Sequence, residues 1–334
     1  MANTSVTYSY DDFTTATANK IVQKKFEDVV SRGSPFLNFM MKGSRYKAGV
    51  TGKYIEEPLM TELSDTGKWY SGAETVDTNQ QNVGTAAFFE PKQYIISITI
   101  TGEEERRNKG KEQVIRLLDA KSMQAMITAR SELADSLWET GAGTKQIQGI
   151  PAMIPDDQGA ATAYGQITAA AAQPWWYSQR SRTAAGTADD VGDFNTNFRD
   201  YAVRLYHDCA EGASTPNVHL VDQDLQEAYE KTLAPYERHE SKEARDLGYA
   251  NELTFMKTPV LWDRKHPDWK GSTHRWYMLN TEFCCLRYSP DANFKVLGFQ
   301  RPANADFRTS PVVWMGALTT NNRRMQGVLT GITL

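Results

Sequence analysis

The sequence is short of the residues and patterns on which most chemistry depends. Only 3 cysteines occur among 334 residues. Cys209 stands alone and Cys284 and Cys285 are adjacent, which fits neither a disulfide framework nor zinc-ligand spacing, so all three read as reduced, packed thiols. Neither GxSxG nor HExxH occurs, and the enzyme reading is left without residues to carry it. No apolar run approaches the ~20 residues that span a bilayer, the longest clean one being Tyr94 to Ile100, so no membrane is expected. The N-terminus, MANTSVTYSYDDFTTATANK, has neither a basic start nor an apolar core, which argues for synthesis in the cytoplasm rather than secretion. A net charge of −4 and a pI near 5.8 exclude the strongly basic face of a dedicated nucleic-acid binder while leaving room for a local basic patch. No internal repeat appears at any fixed period.

What is present is ordinary globular material, 40% hydrophobic and 23% charged, enough for one large or two linked domains. Residues 1 to about 20 carry no period and read as an extended arm. Val22, Phe26, Val29 and Val30 then fall at helical spacing, Gly33-Ser34-Pro35 stops that helix, and an apolar patch from Phe36 to Met40 follows. Tyr46 to Leu59 and Phe88 to Thr101 read as the two strands of a long hairpin. The second is the clearer, because Tyr94, Ile96, Ile98 and Ile100 alternate with Ile95, Ser97 and Thr99. Between them lies a polar, glycine-punctuated loop with a lone aromatic pair, Trp69 and Tyr70, expected to project from the body. Thr101 to Glu104 matches a capping box. Lys111 to Thr140 then runs without proline or glycine, with Met126, Ala129, Leu133 and Leu137 on one stripe, which predicts a helix of roughly 45 Å. Beyond it the chain turns α+β. Phe194, Phe198, Tyr201 and Leu205 mark a helix, Asn217 to Val221 a buried strand and Leu225 to Leu233 a further helix. Glu252 to Trp262, Arg275 to Tyr288, Val312 to Thr319 and Arg324 to Thr330 read as strands.

Four stretches invite a chemical reading. GAGTK, Gly141 to Lys145, resembles a phosphate loop, but a helix precedes it, Gln146 follows the lysine, and Pro151 closes the segment. Gly141 and Gly143 fit a helix end instead, where glycine adopts the left-handed conformation at no cost. His207 and Cys209 are two apart on a helix and point to different sides, so they form no thiol–imidazole dyad. Asp263, His266 and Asp268 offer metal-ligand types within six residues, yet the stretch is turn-like and no second ligand cluster supports it. Trp175-Trp176-Tyr177 could stack on a sugar, or pack as a satellite beneath a long loop.

Taken in order, the polar arm, the hairpin, YIISITIT running into the long helix, and then ETGAGTKQIQGIPAMI resemble the major capsid proteins of tailed bacteriophages, the Hong Kong 97-type fold. Thr99 to Glu105, Lys111 to Trp138, Gly141, Gly143 and Gly149-Ile150-Pro151 occupy that family's strand, spine helix, glycine turn and entry to the next domain. QPWWYS, the helix–strand–helix from Phe194 to Tyr236, and ELTFMKTPVLWDRKHP followed by RWYMLN extend the resemblance over nearly the whole chain.

That resemblance implies an α+β protein with an N-terminal arm (1–40), an extended loop (41–102), a peripheral domain with the spine helix (103–142), an axial domain (143–300) and returning C-terminal strands (301–334). It implies no enzyme and no cofactor or metal, but a major capsid protein of an icosahedral phage head. Such a subunit self-assembles into pentamers and hexamers around double-stranded DNA, contacted non-specifically, and is made in the host bacterial cytoplasm. A portal protein is a further partner expected; no large removable segment precedes the arm, so either a separate scaffolding protein assists assembly or the sequence is already mature, with Met1 favouring the former. Phe26, Phe36, Phe39, Trp69 and Tyr70 are the expected subunit-interface anchors, and Gly141, Gly143, Gly149 and Pro151 the expected domain hinge. An encapsulin-like nanocompartment shell and a glycan-binding virion protein are the alternatives.

Overall fold

The computed structural model describes residues 34–50, 52–61, 66–75, 84–107, 111–141, 143, 145–156, 163–168, 173–183, 189–233 and 253–334. Phe26 and the rest of the expected arm up to residue 33 lie outside the described residues.

In chain order the first element is α1 (Pro35–Met41), whose Ser34 cap accepts from the Leu37 amide at 3.2 Å and whose proline opens the first turn. It buries Phe36, Leu37 and Met40. Four strands follow, β1 (Tyr46–Ala48), β2 (Ile55–Met60), β3 (Gly84–Phe89) and β4 (Lys92–Thr101). The expected hairpin needs correction here. β2 pairs antiparallel with β3, from Ile55↔Phe89 to Met60↔Gly84, whereas β4 pairs with a strand more than 200 residues later in the chain. Glu90-Pro91 separates β3 from β4, and proline, with no amide hydrogen for a ladder, cuts what reads as one apolar run into two strands.

Next come α2 (Gly102–Arg107) and α3 (Lys111–Leu137). The capping box forms as the sequence predicts, with the Thr101 amide donating to Glu104 Oε2 at 2.9 Å and the Glu104 amide to Thr101 Oγ1 at 3.3 Å. After α4 (Ile150–Met153) the short strands β5 (Ala163–Tyr164), β6 (Ile167–Thr168), β7 (Gln179–Arg180) and β8 (Gly192–Asp193) lead into α5 (Phe194–Asp208), β9 (Val218–Val221) and α6 (Gln223–Leu233).

The strand expected over 252–262 is a tight hairpin, β10 (Thr254–Phe255) and β11 (Thr258–Trp262). Met256 and Lys257 both take positive φ, 50° and 66°, in the turn. The strand expected over 275–288 is two, β12 (His274–Leu279) and β13 (Cys284–Tyr288), in different sheets. The Phe283 amide closes the turn between them onto the Asn280 carbonyl at 3.3 Å. β14 (Lys295–Val296), β15 (Phe307–Thr320) and β16 (Gly327–Thr333) complete the chain.

The residues cluster into two compact units. The first holds Gln93–Leu133 and Asp291–Met315. There β4 and β14 pair with the first part of β15, and Ile98, Ala125 and Val312 form a small core with Ile96, Met126 and Phe294 packed on it. Lys121 on α3 donates to both Glu104 oxygens, at 2.8 and 2.7 Å, and to the Thr99 carbonyl at 2.9 Å, so one ammonium holds helix, cap and strand together.

The second unit holds Ser34–Lys92, Ala134–Pro290 and Gly316–Leu334. Its main sheet runs β10-β11-β9-β12-β16-β7, with β8 also on β16. β11 is parallel to β9, β12 antiparallel to both β9 and β16, and β7 and β8 parallel to β16. The apolar stripe of α5, Phe194, Phe198, Ala202 and Leu205, packs with Val221, Leu225, Val260, Leu329 and Ile332 around Trp276. The Trp276 ring lies 4.8 Å from Phe198 and 5.3 Å from Tyr229.

Candidate assembly site

The β2–β3 hairpin is anchored at its base and bare at its tip. Alternation along β2 turns Ile55, Glu57 and Leu59 inward and Glu56, Pro58 and Met60 outward. Glu57 accepts from Arg287 Nε on β13 at 2.5 Å and from Thr319 Oγ1 on β15 at 3.0 Å, so a mostly buried carboxylate is paired and bonded twice. Toward the tip the described side chains are exposed. Trp69 is 102% exposed, Tyr70 69% and Met60 77%, and the ion pair Lys68–Glu74 at 3.6 Å is solvent-exposed. Three large apolar side chains, Met60, Trp69 and Tyr70, are thus exposed on this hairpin and its loop.

Of the other expected anchors, Phe26 lies outside the described residues, while Phe36 and Phe39 make contacts within the chain. Phe36 is fully buried, its ring 5.8 Å from Trp138, so it is a core residue of the second unit rather than an interface anchor. Phe39 is half-buried beneath the Arg45 guanidinium, 3.9 Å from its ring centroid. Sequence reasoning missed other exposed apolar positions, namely Met60, Ile95 on β4, Met123 on α3, and Val296, Leu297 and Phe299 around β14. For Ile95 the signal was the alternation itself, which puts it on the face opposite Ile96 and Ile98.

The glycine turn after α3 is a close approach of backbone to backbone. Gly141 sits at φ +67°, a left-handed helix end, and the Gly149 amide donates back to the Glu139 carbonyl at 3.0 Å. A Cβ on Gly149 would lie 2.2 Å from the Leu137 carbonyl oxygen. Gly143 takes the carbonyl role in a small turn, accepting from Gln146 N at 3.1 Å. Pro151 then occupies the first turn of α4, where its missing amide costs nothing. A helix, α3, rather than a strand precedes this turn. A cleft of about 300 Å³ opens between it and the hairpin base, lined by Phe88, Glu90, Lys92, Gln146 and Gln148 among others.

Behind the turn, the Arg323 side chain is buried. Its Nε donates to the Met153 carbonyl at 2.7 Å and its guanidinium faces the rings of Tyr164 and Trp176 at 5.5 and 5.9 Å. Burial pulls its pKa down to about 10, which leaves it charged. Trp176 is itself 1% exposed and donates from Nε1 to the Tyr164 carbonyl at 3.1 Å. The sugar-stacking alternative therefore loses one of its two tryptophans to the core.

The remaining chemical candidates do not converge. His207 is exposed while Cys209 is buried, and the other two cysteines are free and buried. Asp263 accepts from the Ser34 hydroxyl and caps the Lys265 amide, so it braces α1 and a turn. His266 is buried against Trp138, ring centroids 4.7 Å apart, and burial, with Arg275 and His274 nearby, lowers its pKa to about 3. Asp268 lies 3.8 Å from His266 Nδ1 but 3.6 Å from Arg275 Nε. Among the described residues no helix is long and apolar enough to cross a membrane.

No protein-family model and no curated protein matches the chain. Solved structures do. A subunit of the capsid of cyanophage A-1(L) superposes with a TM-score of 0.62 at 15% identity, covering 94% of this chain and 98% of that one. This is the Hong Kong 97-type capsid fold. A subunit of the capsid of a native GTA particle shares it with a TM-score of 0.55 at 12% identity, over 86% of this chain and 88% of that one. So does the SrpI encapsulin of Synechococcus elongatus, with a TM-score of 0.59 at 10% identity over 95% of both chains.

Proposed function

We propose that the chain is a structural subunit of a self-assembling polyhedral shell, a major capsid protein forming pentamers and hexamers around double-stranded DNA. The observation that carries this reading is the capsid fold over 94% of the chain, combined with a hairpin on which Trp69, Tyr70 and Met60 are exposed. Trp69 and Tyr70, with Phe39 and the arm's Phe26, are the interface anchors proposed, and Gly141, Gly143, Gly149 and Pro151 the hinge. Large aromatic side chains at the centre of a contact carry most of its energy, and head-to-tail contacts that close into rings build capsomers. A near-neutral chain limits mutual repulsion at high local density, and sparse lysine and arginine suffice to contact packaged phosphate. A separate scaffolding protein and a portal protein complete the assembly.

Negative-stain electron microscopy with light scattering on the purified chain, alone and with any neighbouring scaffolding gene product, tests the reading. Closed shells or ring-shaped capsomers are expected. A persistent 37.6 kDa monomer in both conditions would overturn it. The likeness to an encapsulin favours one second reading, a nanocompartment shell around a protein cargo. Nuclease-protected DNA inside shells made during infection or induction supports the capsid reading; shells that co-purify with a folded enzyme and no DNA support the other.

A further inference from the structure

At one end of the main sheet of the second unit, three segments bring two carboxylates and an imidazole together. Asp222 ends β9, Asp224 lies in the first turn of α6, and His274 opens β12. One donor atom from each lies within 4.8 Å of the others. Ligands ~2.0–2.4 Å from a common ion are at most about 4–4.8 Å apart, so the spread fits one coordination sphere. His274 Nδ1 and Asp222 Oδ2 share a hydrogen bond at 2.9 Å, and an entering ion would take the place of the proton between them.

Helix capping explains only half of Asp222. Its Oδ2 accepts from the Asp224 and Leu225 amides at 3.1 and 3.3 Å and meets His274. Among the described residues its Oδ1 has no hydrogen-bond partner, although the side chain is 0% exposed. A buried carboxylate oxygen left unbonded carries its whole desolvation cost, which a cation would relieve. Asp268, 10% exposed, also has an unbonded Oδ2, and Arg275 is shared between it and Asp156 at 3.6 and 3.1 Å. Burial, opposed by Arg275 and reinforced by the charges of Asp222 and Asp156, pushes the Asp268 carboxyl up to about 6.

We propose that Asp222, Asp224 and His274 bind a divalent cation. Two carboxylates with one imidazole suit ions of intermediate hardness, so Mn²⁺ and Zn²⁺ are expected to bind more tightly than Ca²⁺ or Mg²⁺, which prefer all-oxygen shells. The ion would join the end of β9, the start of α6 and the start of β12, and so stabilise the folded unit by mass action.

Calorimetric titration of the chelator-stripped full chain with MnCl2, ZnCl2, CaCl2 and MgCl2, with thermal unfolding alongside, tests this. One Mn²⁺ or Zn²⁺ per subunit is expected, with a concentration-dependent rise in Tm. Asp224→Asn, at a half-buried position, should weaken binding at least tenfold while the apo protein keeps its Tm, and His274→Gln should do the same where it folds. No binding of any of the four ions at millimolar concentration to folded wild type would overturn the site and leave an Asp–His ion pair at a helix cap. Binding of unchanged affinity in Asp224→Asn would overturn it equally, by placing the ion elsewhere.

Discussion

The tripeptide Trp-Tyr-Ser occurs twice in this chain, at 69–71 and at 176–178, and its two copies end in opposite environments. Trp69 is 102% exposed on the hairpin tip; Trp176 is 1% exposed, hydrogen-bonded to Tyr164 and stacked beneath a buried guanidinium. Both copies lie in polar, loop-like sequence, so local composition does not separate them. What separates them is the next element. Gln179, three residues after Trp176, enters β7, its amide donating to the Gln326 carbonyl at 2.8 Å, which draws the tripeptide onto the sheet. No comparable pairing follows Trp69 before the described stretch ends at residue 75. An aromatic residue in a loop is core or contact surface according to what the chain does a few residues later.

Truncating the two tryptophans gives the largest contrast. Trp176→Ala should cost ~3–5 kcal/mol, as buried large-to-small changes do, with an added penalty for Arg323 losing an aromatic face. Urea unfolding of unassembled subunits measures it. Trp69→Ala with Tyr70→Ala should leave that urea midpoint unchanged while reducing shell yield by light scattering. A double variant that unfolds early yet assembles normally would reverse the assignment.

A glycine pair sharpens the same contrast on a smaller scale. Gly149→Ala must push a Cβ against the Leu137 carbonyl and should cost about 1–3 kcal/mol or more, since backbone cannot rotate away. Gly72→Ala on the tip, at φ +71° with nothing within 4 Å, should cost only the left-handed strain of roughly 1–2 kcal/mol, and less if the tip relaxes. Equal effects would mean that the tip is as tightly held as the turn.

Acid titration is the subtlest difference, because it is felt only by the packed region. His219 accepts from Trp276 Nε1 at 3.2 Å and contacts Thr258 through its other nitrogen, which holds it neutral. Burial lowers both His219 and His266 to about 3. With folded pKa values below the unfolded value near 6.5, both contribute stability that is complete above pH 6.5 and lost as pH falls toward 3. Buried Asp268, raised to about 6, acts in the opposite sense, losing stability as pH rises from about 4 to 6. The clean measurement is therefore differential. His266→Gln should narrow its stability gap to wild type steadily from pH 6.5 to pH 4, and a gap independent of pH would show that His266 does not stay neutral.

Much of the fold was legible in local pattern. The capping box at Thr101 and Glu104, the stripe through Ala129, Leu133 and Leu137, the Phe194–Leu205 helix and the glycine end at Gly141 follow from periodicity and backbone preference over a few residues. Of the proposed contact surface, the Trp69–Tyr70 pair was visible as an aromatic island in polar sequence, while Met60 could be recognised only once the inward face of β2 was known. Phe36 was misread because an apolar patch beside a proline looks the same whether it meets a neighbour or its own Trp138.

By itself, then, the sequence determined helix starts and ends, strand alternation and the sites where only glycine fits, because those depend on interactions a few residues long. Tertiary structure alone decided that β2 pairs with β3 and β4 with β15, that Cys284 to Tyr288 leaves the sheet of His274 to Leu279, and that Asp222, Asp224 and His274 meet. Such choices compare the free energies of contacts between residues far apart in the chain, and no local window contains both partners.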